Sequence, residues 1–535
     1  MRATRQDLRD WVHVQWVPDP IVRKHYMSLR APTLQDPTGD VDRLIAELIR
    51  ITPTREIIPE NIKAPLRVLQ RISHTLRETS FRLTAVVAQT DSHYELIDVR
   101  KGHDESDCLG LAIDVGTTTL SLYLVNITAG EILNRLVIEN PQTIHGEDIL
   151  TRIHFCQGPA GLETMQKLAL EGINRGIGRL ADSCGVAPHD IYAVSMAGNP
   201  TMTHLVLGLN PYHLCREPYV PVVSRPPLFR AKEIGVNAHP DAPVYVFPGL
   251  SNYFGGDVVA GILASGMHKS KDISLLVDVG TNAEIVLGNR DWLVVCAGAA
   301  GPALESGGAK AGMRATASAI EKIRLDRETL EPSFEVIGNR PPEGICGSGL
   351  IELVAELFLS KAIDPKGRFA DHLDVPRIRT ADGVKGFAVV LAEKGEGPKD
   401  IIVDELDIGN LLRAKGAMYT ALALVTERLG VAFSDLETFF VAGSFGEHVD
   451  PGSAITIGML PDIPLERFRV LGNSAGIGAC LMLVSYGLRE EVESIRRKAA
   501  YIQLTTDNEF MNRLNAALFI PHTNKELFPT VFHTR

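Results

Sequence analysis

Two short segments of the chain share one pattern of apolar and polar positions. Residues 111–117 and 275–281 are each an apolar run that ends in Asp-Val-Gly-Thr, and alternating apolar residues resume soon afterwards. This pattern predicts two β-hairpins whose tight turns carry a carboxylate, a glycine and a hydroxyl group. Glycine lets the backbone approach a ligand, and successive N–H groups in such a turn form a concavity for anions. Two facing copies would form a clamp for phosphate groups, with each aspartate available to a hydrated divalent cation.

Three further apolar segments run into turns of small residues. Residues 194–199 and 344–350 show this pattern, and the second of them opens an apolar helix that continues to Leu359. Residues 438–446 are typical of a buried strand that enters a turn without bulky side chains. Such a turn leaves room for an adenine or a ribose against the backbone.

The composition excludes several classes of function. The chain has 535 residues, of which 45% are hydrophobic, and its formal net charge of −11 includes no block of Lys and Arg. This balance argues against a nucleic-acid partner. The N-terminus lacks the apolar core of a signal peptide, and no apolar stretch approaches the roughly 20 residues that a membrane span needs. We therefore expect a cytoplasmic protein without a membrane or nucleic-acid partner.

The seven cysteines are widely separated and include no Cys-x2-Cys pair. Their spacing excludes a zinc site built from one local stretch and the cysteine loops of ferredoxins. We expect small, reduced thiols and no iron–sulfur cluster in this chain.

The five segments, in this order, resemble the superfamily that joins actin, sugar and acetate kinases and heat-shock ATPases (ASKHA). There they are called phosphate-1, connect-1, phosphate-2, connect-2 and adenosine. The resemblance covers about residues 107–485. It implies an α/β fold with a two-lobed, actin-like ATPase core of duplicated ribonuclease-H-like subdomains.

The expected domain organisation follows from this core. Residues 1–40, rich in Pro and charge, are predicted to be an arm or linker, and residues 41–106 a small α+β domain. The first subdomain is expected over 107–270. The second is expected over 271–535, with a C-terminal segment that docks back onto the core.

Finer motifs resemble those of the reductive activators of corrinoid proteins. They include Asn140-Pro141-Gln142 with Gly146 to Ile153, Pro248 to Asp257, Gly301 to Gly308, Gly312 to Ala315, Ala414 to Ala417, Ile457 to Pro461 and Gly472 to Ala475. The resemblance implies that ATP drives one electron onto an inactive cob(II)amide held by a partner corrinoid protein, giving cob(I)amide for a methyltransferase system. Many members carry a ferredoxin module or cluster-binding cysteines, and this chain shows neither. We therefore expect either a truncated chain or a separate ferredoxin-type electron donor. Activators of this type often form dimers, which leaves a monomer and a homodimer open.

The predicted turns supply a set of nucleotide ligands. Asp114 and Asp278 are the expected magnesium-binding and water-positioning carboxylates, acting on Mg²⁺ mainly through water. Asp257 is a candidate third catalytic carboxylate, although a helix N-cap explains it equally simply. The residues expected to contact ATP are Gly116, Thr117, Thr118, Thr119, Gly280, Thr281, Asn282, Glu305, Gly443, Ser444, Phe445, Gly446, Gly472 and Asn473. Within this set, Glu305 fits a ribose ligand or a loop cap, and Phe445 fits an adenine platform or the core.

Two other classes of function remain open. A small-molecule kinase would use the same turns and add a substrate-binding carboxylate in a closed pocket. An assembly or chaperone ATPase would show slow turnover that a protein partner stimulates without any redox dependence.

Overall fold

A computed structural model describes residues 5–52, 61–90, 93–280, 283–298, 309–373, 375–392, 400–443, 448–503 and 508–533. The chain forms two compact units. Unit 1 comprises Met1–Ala264 and Ala475–Arg497, and unit 2 comprises Ser265–Ser474 and Lys498–Arg535.

The strands are β1 (Gln6–Asp7), β2 (Val22–Ser28), β3 (Ile62–Lys63), β4 (Arg82–Gln89), β5 (Tyr94–Lys101), β6 (Leu109–Val115), β7 (Thr119–Asn126), β8 (Glu131–Glu139), β9 (Ile191–Gly198), β10 (Phe229–Arg230), β11 (Pro243–Val246), β12 (Ser274–Val279), β13 (Ala283–Gly288), β14 (Leu293–Gly298), β15 (Ala319–Leu325), β16 (Pro332–Val336), β17 (Gly344–Ile345), β18 (Ile378–Ala381), β19 (Val384–Val390), β20 (Ile401–Asp404), β21 (Thr438–Ala442), β22 (Phe468–Gly472) and β23 (Ala499–Tyr501). The helices are α1 (Asp40–Ile51), α2 (Leu66–Glu78), α3 (Ile149–Phe155), α4 (Pro159–Cys184), α5 (Pro200–Leu207), α6 (Ala231–Ile234), α7 (Gly256–Ser265), α8 (Gly347–Leu359), α9 (Glu405–Arg428), α10 (Pro451–Thr456), α11 (Ser474–Val484), α12 (Leu488–Lys498), α13 (Asn508–Ala517) and α14 (Pro529–His533).

The N-terminal part of unit 1 is a four-stranded sheet in the order β2-β4-β5-β3, packed against α1 and α2. Both helices bury one apolar stripe, with Leu44, Leu48 and Leu76 each 0% exposed. Strand β2 pairs with β4 from Val22↔Ala88 to Ser28↔Arg82. The prediction of an arm or linker over residues 1–40 is therefore wrong for β2. This strand lies at the edge of the sheet, and its polar residues hide the strand pattern.

The rest of unit 1 is built on a seven-stranded sheet in the order β1-β8-β7-β6-β9-β11-β10. Strands β8, β7 and β6 are antiparallel neighbours, whereas β9 and β11 run parallel to β6. Helix α4 lies close to this sheet. A Cβ atom added at Gly172 or Gly176 would come within 2.9 Å of Leu120 or Leu122.

Unit 2 repeats the same arrangement. Its six-stranded sheet has the order β22-β21-β12-β13-β14-β23, with β12, β13 and β14 antiparallel and β21 and β22 parallel to β12. The run β14-β13-β12-β21-β22 thus matches the run β8-β7-β6-β9-β11 of unit 1 in order and direction. The predicted α/β fold with a duplicated subdomain is confirmed. Two three-stranded sheets, β16-β15-β17 and β18-β19-β20, complete the strands described in unit 2.

Across the described ranges, each helix is too short or too polar to span a membrane.

Candidate functional site

The first predicted turn joins β6 to β7 in unit 1. Asp114 is the next-to-last residue of β6 and lies in register with Ser121 on β7 and Ala197 on β9. A Cβ atom added at Gly116 would lie 2.7 Å from the carbonyl oxygen of Thr119. The turn therefore requires glycine at position 116, as the hairpin pattern predicts.

Two buried side chains hold this turn from the protein interior. Asn140 and Arg152 are both 0% exposed. The Asn140 side-chain amide donates to the carbonyl of Gly116 at 2.9 Å, and its backbone N–H donates to the carbonyl of Thr118 at 2.9 Å. Arg152 donates from Nη2 to the carbonyl of Thr117 at 2.7 Å. Three successive carbonyls of the turn are thus engaged by protein donors, which fixes the backbone of the residues expected to meet phosphate.

The end of β9 lies beside the same turn. A Cβ atom added at Gly198 would lie 2.9 Å from the carbonyl oxygen of Val115. The next residue, Asn199, caps α5 by accepting from the N–H of Met202 at 2.9 Å. Its Nδ2 donates to Oγ1 of Thr117 at 3.1 Å. The connect-1 segment therefore contacts the phosphate-1 turn directly.

Asp257 lies in the first turn of α7, which packs against the end of β9. A Cβ atom added at Gly255 would lie 2.3 Å from the carbonyl oxygen of Gly198. The Asp257 carboxylate accepts from the N–H of Val258 at 2.9 Å. Burial raises the pKa of Asp257 to about 6, against the opposing effect of backbone hydrogen bonds. A carboxyl group that titrates near neutral pH suits a general base, and this role remains a proposal.

The second predicted turn follows β12 in unit 2. Asp278 lies in register with Glu284 on β13 and Ala442 on β21. Its Oδ2 accepts from Oγ of Ser474, a residue that is 1% exposed, at 3.2 Å. Gly280 follows the end of β12 directly.

The residue after β21, Gly443, lies directly beside Asp278. Gly443 has a φ of 91°, and a Cβ atom there would lie 2.3 Å from the carbonyl oxygen of Val279 and 2.7 Å from Oδ1 of Asp278. Only glycine fits this position, both in conformation and in space. Gly472, with a φ of 58°, ends the neighbouring strand β22. Asn473 separates it from the first residue of α11, so both expected adenosine-side residues lie at the same end of the sheet as Asp278.

Several predicted ligands lie outside the described residues. They are Thr281, Asn282, Glu305, Ser444, Phe445 and Gly446. Within the described part, unit 1 brings Gly116, Thr117, Thr118 and Thr119 together with the end of β9 and the start of α7, and unit 2 gathers Asp278, Gly280, Gly443, Gly472 and Asn473.

The sequence pattern did not indicate the supports of the two turns. Asn140 and Arg152 belong to a family motif, but the motif does not say what they contact. An Asn-Pro pair is typical of a turn, and Asn140 does accept from the N–H of Gln142 at 3.1 Å. Nothing local predicts that a basic residue on a short helix is buried. The contact between Ser474 and Asp278 joins residues that are far apart in the chain.

The two aspartates are compatible with a hydrated cation. A side chain is excluded by close contacts at Gly116, in the first turn, and at Gly443, beside Asp278. Among the described residues, no group of three or more His, Cys, Asp and Glu side chains is arranged to hold a metal. Mg²⁺ needs only one or two carboxylates when waters and phosphates complete its shell. The single carboxylate at each turn, Asp114 or Asp278, agrees with that mode.

Family models match consecutive parts of the chain. The RACo linker region matches residues 13–106, the RACo middle region matches 109–270, and the C-terminal domain of RACo, described as the ASKHA domain, matches 272–532. Together with the duplicated sheets, these matches define an ASKHA-domain protein. The chain belongs to the RACo family of reductive activators of corrinoid proteins.

Individual proteins similar to this chain support the same family assignment. The chain is 34% identical over 505 residues to the corrinoid activation enzyme RamQ of Eubacterium limosum, covering 92% of this chain and 82% of that protein. It is 23% identical over 435 residues to the [Co(II) methylated amine-specific corrinoid protein] reductase of Methanosarcina barkeri, covering 75% of each. The solved structure of a reductive activator for a corrinoid, iron–sulfur protein superimposes with a TM-score of 0.88 at 36% identity, covering 96% of this chain and 81% of that one.

Proposed function

We propose that this protein uses ATP to drive the reduction of an inactive cob(II)amide, held by a partner corrinoid protein, to cob(I)amide. The observation that carries the proposal is the Asp-Val-Gly turn found at the same place in two matching sheets of a RACo-family chain. The names of its relatives, an activation enzyme and a reductase of corrinoid proteins, support the same reaction.

The energy of the electron transfer explains why a nucleotide is needed. About 59 mV corresponds to a factor of ten in a one-electron equilibrium, so a step that is uphill by about 200 mV is unfavourable by about 4–5 kcal/mol. A single hydrogen bond contributes about 1 kcal/mol and cannot supply this energy. Two protein conformations that bind the two cobalt states with affinities differing about 10³-fold supply most of it.

Asp114 and Asp278 are proposed to hold waters of a magnesium ion bound to ATP. The cation neutralises charge on the phosphates, which is its usual contribution to phosphoryl transfer. Ser474 keeps the Asp278 carboxylate in place through its 3.2 Å hydrogen bond. Asp257 is proposed to accept a proton from the attacking water, because its pKa of about 6 leaves it ionised at neutral pH but still basic.

The remaining predicted residues are proposed to bind the nucleotide. Gly116 to Thr119 and Gly280 contact phosphates through backbone N–H groups and hydroxyls, as turns of this kind do. Gly443, Gly472 and Asn473 are proposed to contact the adenosine, because small residues allow a ligand to approach the backbone closely. The electron is proposed to come from a ferredoxin-type donor in the cytoplasm.

An anaerobic assay with purified corrinoid protein tests the proposal. Cob(I)amide formation is followed by absorbance with a chemical or ferredoxin electron donor, with ATP, with ADP or without nucleotide. We expect formation only with ATP, and ATP hydrolysis that the Co(II) state of the partner stimulates more than its methylated state. ATP hydrolysis that is equal with both partner states contradicts the activator role and favours an assembly ATPase. Transfer of phosphate to a small molecule at a rate above hydrolysis favours a kinase.

A further inference from the structure

Arg152 is a buried cation whose hydrogen-bond partners are all neutral. Its side chain donates from Nε to the carbonyl of Gly146 at 2.8 Å, from Nη1 to Oε1 of Gln142 at 3.2 Å and from Nη2 to the carbonyl of Thr117 at 2.7 Å. The negative charge of Asp148 raises the pKa of Arg152, but the carboxylate of Asp148 accepts its hydrogen bonds from the N–H and the hydroxyl of Thr151. Within the described ranges, no carboxylate forms an ion pair with Arg152.

Burial of an arginine without a negatively charged partner lowers the stability of the folded protein. Moving a charge out of water without an opposite partner is unfavourable by several kcal/mol. Burial lowers the pKa of Arg152 to about 10, so the guanidinium remains charged at neutral pH. Three neutral oxygen acceptors and the sulfur of Met202, which lies 3.3 Å from Nη1, accept from its N–H groups, and within the described ranges none of its hydrogen-bond partners carries a negative charge. The position of this charge, one hydrogen bond away from the 116–119 turn, indicates where its counter-charge belongs.

The surrounding side chains hold Arg152 in this position. Gln142 is 0% exposed and donates from Nε2 to the carbonyl of Met165 on α4 at 2.9 Å. The same Gln142 accepts from Nδ2 of Asn140 at 3.2 Å. The guanidinium is therefore tied through Gln142 to both the helix α4 and the second residue that supports the turn.

We infer that Arg152 is a positioning residue for the phosphates of ATP, which fixes the 116–119 turn through the Thr117 carbonyl and supplies a buried positive charge that the bound phosphates compensate. This inference rests on the proposed use of ATP. Because the interior near Arg152 is poorly screened, the charge acts on a bound anion more strongly than a surface arginine would. It acts on the phosphates and not on the adenosine.

The test compares dissociation constants of ATP and adenosine, measured by calorimetry on the full chain. Arg152→Gln removes the charge but keeps hydrogen-bonding groups, and Arg152→Lys keeps the charge. We expect Arg152→Gln to weaken ATP binding about tenfold or more and to leave adenosine binding unchanged. Arg152→Lys should recover part of the ATP affinity. Arg489→Gln is the matched control, since Arg489 is a partly buried arginine of the same unit whose pKa burial also lowers to about 10. It should bind both ligands like the parent.

Each other outcome is decisive. Equal loss of ATP and adenosine binding shows that Arg152 only maintains the fold, and unchanged ATP binding in a folded Arg152→Gln protein also overturns the inference. If Arg152→Gln does not fold, the same comparison is made with Arg152→Met, which also removes the charge and keeps an unbranched side chain; unchanged ATP binding or a parallel loss of both ligands in that variant overturns the inference. Failure of the parent protein itself to bind ATP rejects the proposed function and is thereby distinguished from failure of this inference.

Discussion

The two hairpins that carry Asp114 and Asp278 occupy the same place in matching sheets, and the hydrogen bonds described around them engage different groups. In both sheets the strand beside the aspartate offers alanine in register with it, Ala197 or Ala442, and glycine at the next position. In unit 1, side chains hold the carbonyls of the turn. In unit 2, Ser474 holds the carboxylate itself.

The comparison shows which feature shared by the two sheets follows from close packing of the backbone. In both copies the glycine after this alanine lies too close to the aspartate strand for a side chain, with an added Cβ atom 2.9 Å from Val115 at Gly198 and 2.3 Å from Val279 at Gly443. The supports come from segments outside the five matching strands and are free to differ.

The largest expected effect comes from the two aspartates. Asp114→Asn and Asp278→Asn should each reduce ATP hydrolysis on the order of 100-fold or more, because each removes a negative charge that is proposed to hold hydrated magnesium. The rate is measured by phosphate release at saturating ATP, with thermal unfolding as a check on the fold. Asp272→Asn, in an exposed loop before β12, is the control and should keep the parent rate. Parent rates in both turn variants would falsify the site assignment.

The next largest effect is expected from a substitution of Asp257, which should change how ATP turnover depends on pH. Its pKa is raised from 3.8 to about 6, so the ionised form that the proposed general-base role requires is lost as pH falls through about 6. Asp257→Asn should lower ATP turnover about 10–100-fold above pH 7 and remove the acid limb of the pH profile. A raised carboxyl pKa also means that the parent loses stability as pH rises from about 4 to 6, and the variant should not. Asp450→Asn, at the N-cap of α10, should retain the parent profile. An acid limb that persists in Asp257→Asn assigns it to another group.

The glycines beside the two aspartates, Gly443 and Gly198, differ in how closely they approach the neighbouring strand, so alanine should destabilise the protein to different extents at the two positions. Gly443→Ala should lower the free energy of unfolding by about 1–3 kcal/mol, because its φ of 91° and its 2.3 Å approach to Val279 exclude a side chain. Gly198→Ala should have a smaller effect, since its closest contact is 2.9 Å. Denaturant titration measures both. Gly178→Ala, in α4 with open space around it, should instead be stabilising. An equal loss at positions 443 and 198 would show that the two turns are equally tight.

The smallest effects concern single hydrogen bonds. Ser474→Ala should lower kcat/KM for ATP hydrolysis about tenfold, because it removes a bond to a charged group. Thr117→Val, which removes the acceptor of Asn199, should lower it only about threefold, because that bond is neutral. The reverse order would mean that the Thr117 hydroxyl contributes more than its bond to Asn199, as a direct contact with phosphate would.

Much of this architecture was predictable because it is encoded locally. The strands that carry Asp114 and Asp278 have apolar runs followed by glycine, and the structure confirms both strands and the helix that ends at Leu359. Strand β2 was missed because an edge strand needs no apolar alternation. The buried position of Arg152 was missed because it depends on acceptors in three separate segments, which no spacing along the sequence reveals. The assignment of individual residues to ATP stays a prediction.

The division of the chain has a consequence for its biosynthesis. Residues 475–497 belong to unit 1, where Leu483 would lie 3.1 Å from a Cβ atom at Gly110 in β6, and residues 19 and 21 donate backbone hydrogen bonds to residues 484 and 483. The ribosome must therefore make all of residues 265–474 before the first sheet receives its last covering helix. At 5–20 residues per second this takes on the order of 10 to 40 seconds. During that time the strand that carries Asp114 lacks the cover of this helix, so part of its apolar surface stays exposed.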